Sequence, residues 1–354
     1  MSAYNVLIMG ASYGSLLAIK LLFGGHNITM ICRPKSAEAF NNEGARVRLP
    51  VRGRKEPIEL DSRKLLGSLK AAGPADVNPA DFDLVVLAMQ EPQYGSPGVR
   101  ELLETVAKSG KPCMSIMNMP PLPYLKRIPG LATELLKSAY TDAGVWDNFD
   151  PRRLTLCSPD PQAVRPPGDE MNVLQVTLAT NFKVARFDSE PLTEMLRQMQ
   201  TDIETVRYDP GDGVIDLPVK LKVHDSIFVP LAKWSMLLTG NYRCVTPDKA
   251  IGIKDAVHGN FAQSQEVYNW VCDICIKLGA DPSDLVPFEK YAAAAQELVR
   301  PSSAARALFN DAPNIERVDR LVQTIGQQLG MRHPVVDRIV SLVDARLEHN
   351  RKAA

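Results

Sequence analysis

The sequence predicts an α/β protein: an N-terminal doubly wound parallel sheet followed by an all-α C-terminal domain. Three observations carry this. The chain opens on an apolar run, Val6 to Met9, that enters a glycine-flanked turn and then a helical pattern. Near-continuous apolar runs then alternate with helical segments, the pattern of a sheet covered on both faces. Beyond Asp209-Pro-Gly-Asp-Gly213, from about Val223 to the end, the periodicity is helical almost throughout.

The opening elements follow from residue type. Val6 to Met9 reads as a buried strand, and Leu16, Leu17, Ile19, Leu21 and Leu22 as a helix stopped at Gly24-Gly25. Asn27 to Cys32 is the second strand. Strand, turn, helix and strand within about 30 residues have the dimensions of a βαβ nucleotide-binding unit, the start of a Rossmann-type sheet. Ser36 to Asn42 reads as helical. Arg46 to Lys55 alternates basic and apolar residues at period two, a hairpin with one solvated face. Asp83 to Met89 is a strand buried on both faces, Val99 to Ser109 a helix, and Cys113 to Met117 a strand. Proline-marked loops follow, then one or two strands in Leu174 to Phe187, a helix over Glu190 to Met199 and a final strand over Ile203 to Tyr208.

At 354 residues the chain has room for two domains, each with its own core. The composition shift places the boundary near 210–222, giving a dinucleotide-binding domain over 1–215 and a helical domain over 216–354. Lysine plus arginine and aspartate plus glutamate balance at 41 each, so no global field favours nucleic acid or an anionic membrane. No apolar run approaches the ~20 residues of a membrane span. The early strand leaves no room for a signal peptide, and six scattered cysteines are too few for a disulfide scaffold. A cytoplasmic location is expected.

The glycine turn is the first candidate site. A pyrophosphate needs residues without bulk where the backbone meets it and a helix N-terminus aimed at its charge. Gly10, Ser12 and Gly14 fill these positions approximately, one residue shorter than G-x-G-x-x-G and with Ser12 for the middle glycine. The same residues spell G-x-S-x-G, the nucleophile elbow of α/β-hydrolases, but that elbow follows a central strand, and no sheet or oxyanion loop precedes residue 12. About 20 residues on, an acid would bind a ribose 2′-hydroxyl, whereas a cation accommodates a 2′-phosphate; Arg33 and Lys35 stand there, which favours NADP(H).

Lys233 lies on a mostly apolar helix with Asn241 two turns further on. Such a lysine either snorkels from a core or is desolvated to move a proton near neutrality. Cys272 and Cys275 lie in a helical run without a second pair, a core-facing pair rather than a metal site. The five histidines show no ligand spacing; His224, beside Asp225 at the start of the Lys233 helix, reads as a cap. Ser302 and Ser303 read as the N-cap of a helix following Pro301, with substrate contact as the alternative.

Taken together these stretches resemble the ketopantoate reductase family over nearly the whole chain. Gly10-Ala-Ser-Tyr-Gly14-Ser-Leu-Leu-Ala18 is similar to that family's G-A-G-x-x-G-S-L-L-A opening. Met117-Asn118-Met-Pro120 resembles its Q-N-G stretch, and Asp225, Lys233 and Asn241 its lysine helix. Ser302-Ser303, Asn314-Ile-Glu316 and Gly330-Met-Arg-His-Pro334 resemble its C-terminal S-S-M, T-E-I-D and G-x-x-x-P stretches. Three positions depart. Leu237 stands for the family's second asparagine, Asn314 for its glutamate with Glu316 at the neighbouring aspartate, and Gln90 for its phosphate-holding lysine.

The resemblance implies a 6-phosphogluconate-dehydrogenase-like pairing of a Rossmann-type domain with a helical domain closing over the nicotinamide. It implies NADP(H) held by Gly10, Ala11, Ser12, Tyr13, Gly14, Ser15, Arg33, Lys35, Met89 and Asn118. Lys233 and Asn118 are the implied catalytic residues, and Asn241, Ser303, Asn314 and Glu316 the substrate-binding ones. The implied reaction is reduction of a small 2-oxo acid or related carbonyl, with a pocket more apolar than one built for ketopantoate because of Leu237. An opine-type dehydrogenase and a non-catalytic NADP(H)-binding protein are the alternatives. A homodimer is plausible from the apolar helical domain.

Overall fold

A computed structural model describes residues 3–166 and 168–353. Fourteen strands are found among them. The main sheet has eight: β1 (Asn5–Met9), β2 (Asn27–Ile31), β5 (Leu69–Ala72), β6 (Leu84–Leu87), β7 (Cys113–Ile116), β8 (Leu154–Ser158), β11 (Phe182–Ala185) and β14 (Leu221–His224). Their order is β14-β11-β8-β7-β6-β1-β2-β5, and every neighbouring pair is parallel except β11 with β8. The first six strands in chain order thus run outward from a central β1, the doubly wound arrangement expected of a dinucleotide fold. A smaller sheet holds β3 (Arg46–Leu49), β4 (Ile58–Asp61), β9 (Gln162–Val164) and β10 (Val173–Leu178); a ribbon pairs β12 (Arg207–Tyr208) with β13 (Ile215–Asp216).

The helices are α1 (Tyr13–Phe23), α2 (Pro34–Glu43), α3 (Val99–Ser109), α4 (Leu122–Leu125), α5 (Glu190–Thr205), α6 (Lys233–Met236), α7 (Ile253–His258), α8 (Phe261–Lys277), α9 (Phe288–Ala295), α10 (Ser303–Phe309), α11 (Val318–Gln328) and α12 (Pro334–Ala353). None among the described residues is long and apolar enough to cross a membrane.

Two compact units emerge. One contains residues 1–89, 93–117 and 145–225; the other contains 90–92, 118–144 and 226–354. In the first, Val6, Leu7, Ile8 and Met9 of β1 and Leu84 to Leu87 of β6 are fully buried, as a sheet covered on both faces requires. Helix α1 is buried from Gly14 to Phe23 and packs against β1, β2, β3 and α5. The second unit is helical and includes the segment carrying α4.

Four local expectations change. Ile203 is not in a strand: it continues the buried stripe Met195, Leu196, Met199 at helical spacing, so α5 runs on to Thr205 and only Arg207 and Tyr208 become extended. The last strand of the main sheet is instead β14. The basic hairpin forms, but its second strand is Ile58–Asp61 and the intervening Val51 to Lys55 belong to the loop. His224 ends β14 rather than capping a helix, and Asp225 pairs with Arg197 of α5. The Lys233 helix is not one continuous α-helix: Val229–Ala232 is 3-10, Lys233–Met236 α, Leu237–Asn241 π-helical and Tyr242–Cys244 3-10.

Candidate active site

In the first unit, the chain leaves β1 at the point where strand order reverses, between β1 and β6. Gly10 has φ +113°, and a Cβ there would lie 2.5 Å from the Ala88 carbonyl oxygen at the end of β6. A side chain at Gly14 would meet Ile8 Cγ2 at 2.6 Å. The first glycine thus lets the backbone turn against its neighbouring strand, and the second lets α1 seat on β1. Ser12, exposed, precedes α1 without making a side-chain cap, and Ser15 Oγ turns inward to donate to the Ala11 carbonyl. Ala11 and Tyr13 complete the turn. Met89 follows β6 and its Cγ lies 2.7 Å from the position a Gly10 Cβ would take. The cradle and the uncapped helix end fit a pyrophosphate. Because β1 starts the sheet and the turn lies at its switch point, Ser12 has the setting of a dinucleotide turn rather than a nucleophile elbow.

Arg33 and Lys35 are exposed at the start of α2, just beyond β2. The neighbourhood holds a further guanidinium, Arg165, following β9. Burial and the nearby Arg33 charge both hold its pKa below the usual arginine value. Nothing in the sequence spacing places Arg165 there, because it arrives from the smaller sheet.

In the second unit, a pocket of about 30 Å³ is lined by Gln90, Asn118, Leu237, Asn241, Tyr242, Ser303, Ala304, Ala307, Ile315 and Glu316. Its polar centre is a pair. Asn118, two residues beyond the end of β7, donates from Nδ2 to Glu316 Oε2 at 3.3 Å, and its Oδ1 is buried without a partner among the described residues. The Glu91 backbone N–H donates to Glu316 Oε1 at 3.4 Å. Burial pushes the Glu316 carboxyl up to about 7, opposed by the Glu91 N–H and Asn118 hydrogen bonds and assisted by the Glu91 charge. Glu91 is itself buried and raised, its carboxylate held by the Thr141 N–H and hydroxyl, each at 2.9 Å. Tyr242 Oη donates to the Glu316 carbonyl and accepts from the Val318 N–H, which fixes the backbone on both sides of the acid.

Asn241 lines this pocket at the end of the π-turn, and Ser303 at the first position of α10. Ser302 is the cap: its Oγ accepts from the Ala305 N–H and donates to the Asn241 carbonyl, tying α10 to the π-turn. Leu237 adds the apolar wall. Lys233 is half-buried at the head of α6 and is not among the pocket's lining residues. Asn314 stays out too; its Oδ1 accepts from Arg351 at 2.8 Å. Thus Asn118, Asn241, Ser303 and Glu316 converge on this pocket, while Lys233 and Asn314 do not line it. Glu91 and Tyr242 were missed by sequence, and Gln90, named there only as standing for the family's phosphate-holding lysine, lines this pocket instead. Gln90 and Glu91 had a signal, since they follow a buried parallel strand at its carboxyl end. Cys272 and Cys275 are free thiols, and no metal-holding cluster occurs among the described residues.

An α/β unit with this strand order and a helical unit of this kind form the fold of the ketopantoate reductases. The chain is similar to a protein assigned as a ketopantoate reductase from Ralstonia solanacearum MolK2, with a TM-score of 0.67 at 16% identity over 99% of each chain. It is similar to D-mandelate dehydrogenase, solved with NADH and anilino(oxo)acetate, with a TM-score of 0.64 at 12% identity over 98% of this chain and 99% of that one. A dimeric ketopantoate reductase from Staphylococcus aureus gives 0.59 at 11% identity, over 98% and 99%. No family model and no curated protein sequence matches the chain.

Proposed function

We propose that this protein is an NADPH-dependent reductase of the ketopantoate reductase type, acting on a small 2-oxo acid or related carbonyl compound. The observation that carries the reading is the Asn118–Glu316 pair: a half-buried amide whose buried oxygen has no partner among the described residues, beside a carboxyl whose pKa burial pushes up to about 7. In the first unit, Gly10 to Ser15 would hold the cofactor's pyrophosphate, Met89 would flank it, and Arg33 and Lys35 would meet its 2′-phosphate. When bound it supplies a hydride for the substrate carbonyl carbon.

The chain's own groups do the rest. Lys233, as ammonium, polarises the carbonyl oxygen and delivers the proton. Asn118 and Asn241 orient the substrate, and the Ser303 hydroxyl meets its carboxylate. Glu316, neutral below about pH 7, donates a hydrogen bond without repelling an anion. Leu237, Ala304 and Ala307 select against bulkier polar substituents. A second reading, reduction of an imine formed from an amine and a 2-oxo acid, draws on the acid in the pocket and the lack of any arginine or lysine among its lining residues. A homodimeric, cytoplasmic enzyme completes the proposal.

The test is a cofactor-oxidation screen over 2-oxo acids, ketopantoate included, with NADPH or NADH and with or without an added amino acid. NADPH oxidation independent of the amino acid is expected. The Lys233→Ala variant should lose about 10²-fold or more in kcat while still binding NADPH. Near-normal turnover in that variant would sink the mechanism, and tight binding with no oxidation across the panel would leave a cofactor-binding protein.

A further inference from the structure

We propose that the helical unit carries a second ligand site, separate from the Asn118–Glu316 pocket, that takes a small oxyanion: a carboxylate or phosphate group. A cavity of about 150 Å³, with room for several waters or a small anion, lies among Arg317, Arg320 and Asp344 with Arg351, Ser138 and Thr141 at its edges. Its floor is an ion-pair network between the start of α11 and α12. Arg317 Nε and Nη2 both donate to Asp319 at 2.9 Å, and Nη1 donates to Asp344 at 2.7 Å. Arg320 donates to the other Asp344 oxygen. Two carboxylates are therefore shared by two guanidiniums.

Arg351 adds a third positive charge, two helical turns beyond Asp344 on α12. It donates to the Pro313 carbonyl at 2.9 Å and to Asn314 Oδ1 at 2.8 Å, both neutral acceptors. These bonds steady its planar fork at the cavity edge without neutralising it. Three guanidiniums against two carboxylates leave one positive charge in excess. A guanidinium held in place binds carboxylate or phosphate oxygens with little further loss of side-chain freedom. Ser138 and Thr141 also line the cavity, although the Thr141 hydroxyl is already donated to Glu91 Oε2 at 2.9 Å.

The site is also placed to be felt elsewhere. Ile315 lines this cavity and the Asn118–Glu316 pocket alike, and the two neighbours Glu316 and Arg317 line one each.

Titration of the full-length protein with inorganic phosphate and, separately, pyruvate, by calorimetry and thermal shift at constant ionic strength, tests the site. Saturable binding of at least one anion is expected. Arg351→Gln should weaken it at least tenfold, Arg351→Lys, which keeps the charge but not the fork, should weaken it less, and Arg33→Glu should leave it unchanged. The tighter of the two anions then identifies the group recognised. Arg351 is exposed, so the variants are expected to fold, which circular dichroism checks. Non-saturating responses to both anions would overturn the proposal. So would binding indifferent to Arg351→Gln, or binding abolished by Arg33→Glu, which would place the anion at the 2′-phosphate position beside Arg33.

Discussion

Glu316 is held at 9% exposure against Asn118 and Glu91, and its proton is the cost of that burial. Folding raises its pKa from an ordinary carboxylate value to about 7. Between about pH 4.5 and pH 7 the folded protein therefore holds a proton that the unfolded chain has released, and stability falls as pH rises through that window. Each pH unit is worth about 1.4 kcal/mol, so the loss reaches up to about 3 kcal/mol by pH 7. Glu316→Gln is neutral throughout and should remove that share of the slope, leaving the share from Glu91, whose pKa burial also raises. Thermal melts of both proteins from pH 4.5 to 8 check this; parallel curves would exclude a buried, protonated Glu316. Asn241 was legible from its place two turns beyond Lys233, Asn118 only through the family resemblance, and Ser303 through that resemblance and as the alternative to a helix cap. Asn314 and Glu316 were both named as substrate residues, but only contact with Asn118 separates the one that reaches the pocket from the one turned to Arg351. Glu91 carries no periodic signal, only its place at a strand end.

Most elements announced themselves through apolar periodicity: β1, β6 and α3 lie where their patterns place them. The π-turn at Leu237–Asn241 did not, since i→i+5 bonding leaves no pattern in residue type. It matters for the site. Eight residues of regular α-helix would set Asn241 roughly 80° from Lys233 around the axis, and the wider turn reduces that offset. The turn is locked by packing at Gly240, where a Cβ would lie 2.0 Å from Tyr291 Oη and 3.1 Å from Ile253 Cγ2. Tyr291 is buried and donates to the Met236 carbonyl at 3.1 Å, so it cannot yield without losing that bond. Gly240→Ala should therefore destabilise the protein by about 1–3 kcal/mol. Removing the clashing oxygen in Gly240→Ala/Tyr291→Phe should recover part of the loss. A denaturant-unfolding double-mutant cycle measures it, and strictly additive effects would contradict the proposed clash.

At the scale of the whole molecule, the two-part architecture was legible from the change of periodicity after residue 213, whereas the path of the chain was not. Residues 118–144 leave the sheet at the end of β7, join the helical unit, and return before β8. Their short helical turns carry no long period, so nothing in the sequence links them to residues a hundred positions on. Yet they are anchored there: Tyr124 Oη donates to the Ile227 carbonyl, and Gln328 exchanges two hydrogen bonds with Ala132, each 3.2 Å. Leu122, Tyr124, Leu125, Leu136 and Tyr140 are buried. A fragment ending at residue 225 keeps these apolar side chains and loses the 226–354 surface that helps cover them. It should aggregate or melt well below the full chain, although its sheet is complete. Replacing residues 118–144 in that fragment with a flexible linker of about 12 residues, the length a parallel crossover needs, should restore a soluble unit. That unit should retain saturable NADPH binding through Gly10 to Ser15 and Arg33. Solubility, thermal melting and NADPH fluorescence titration of the two fragments decide the matter. If the uncut 1–225 fragment proves as soluble and stable as the linker version, residues 118–144 do not depend on the helical unit for their burial.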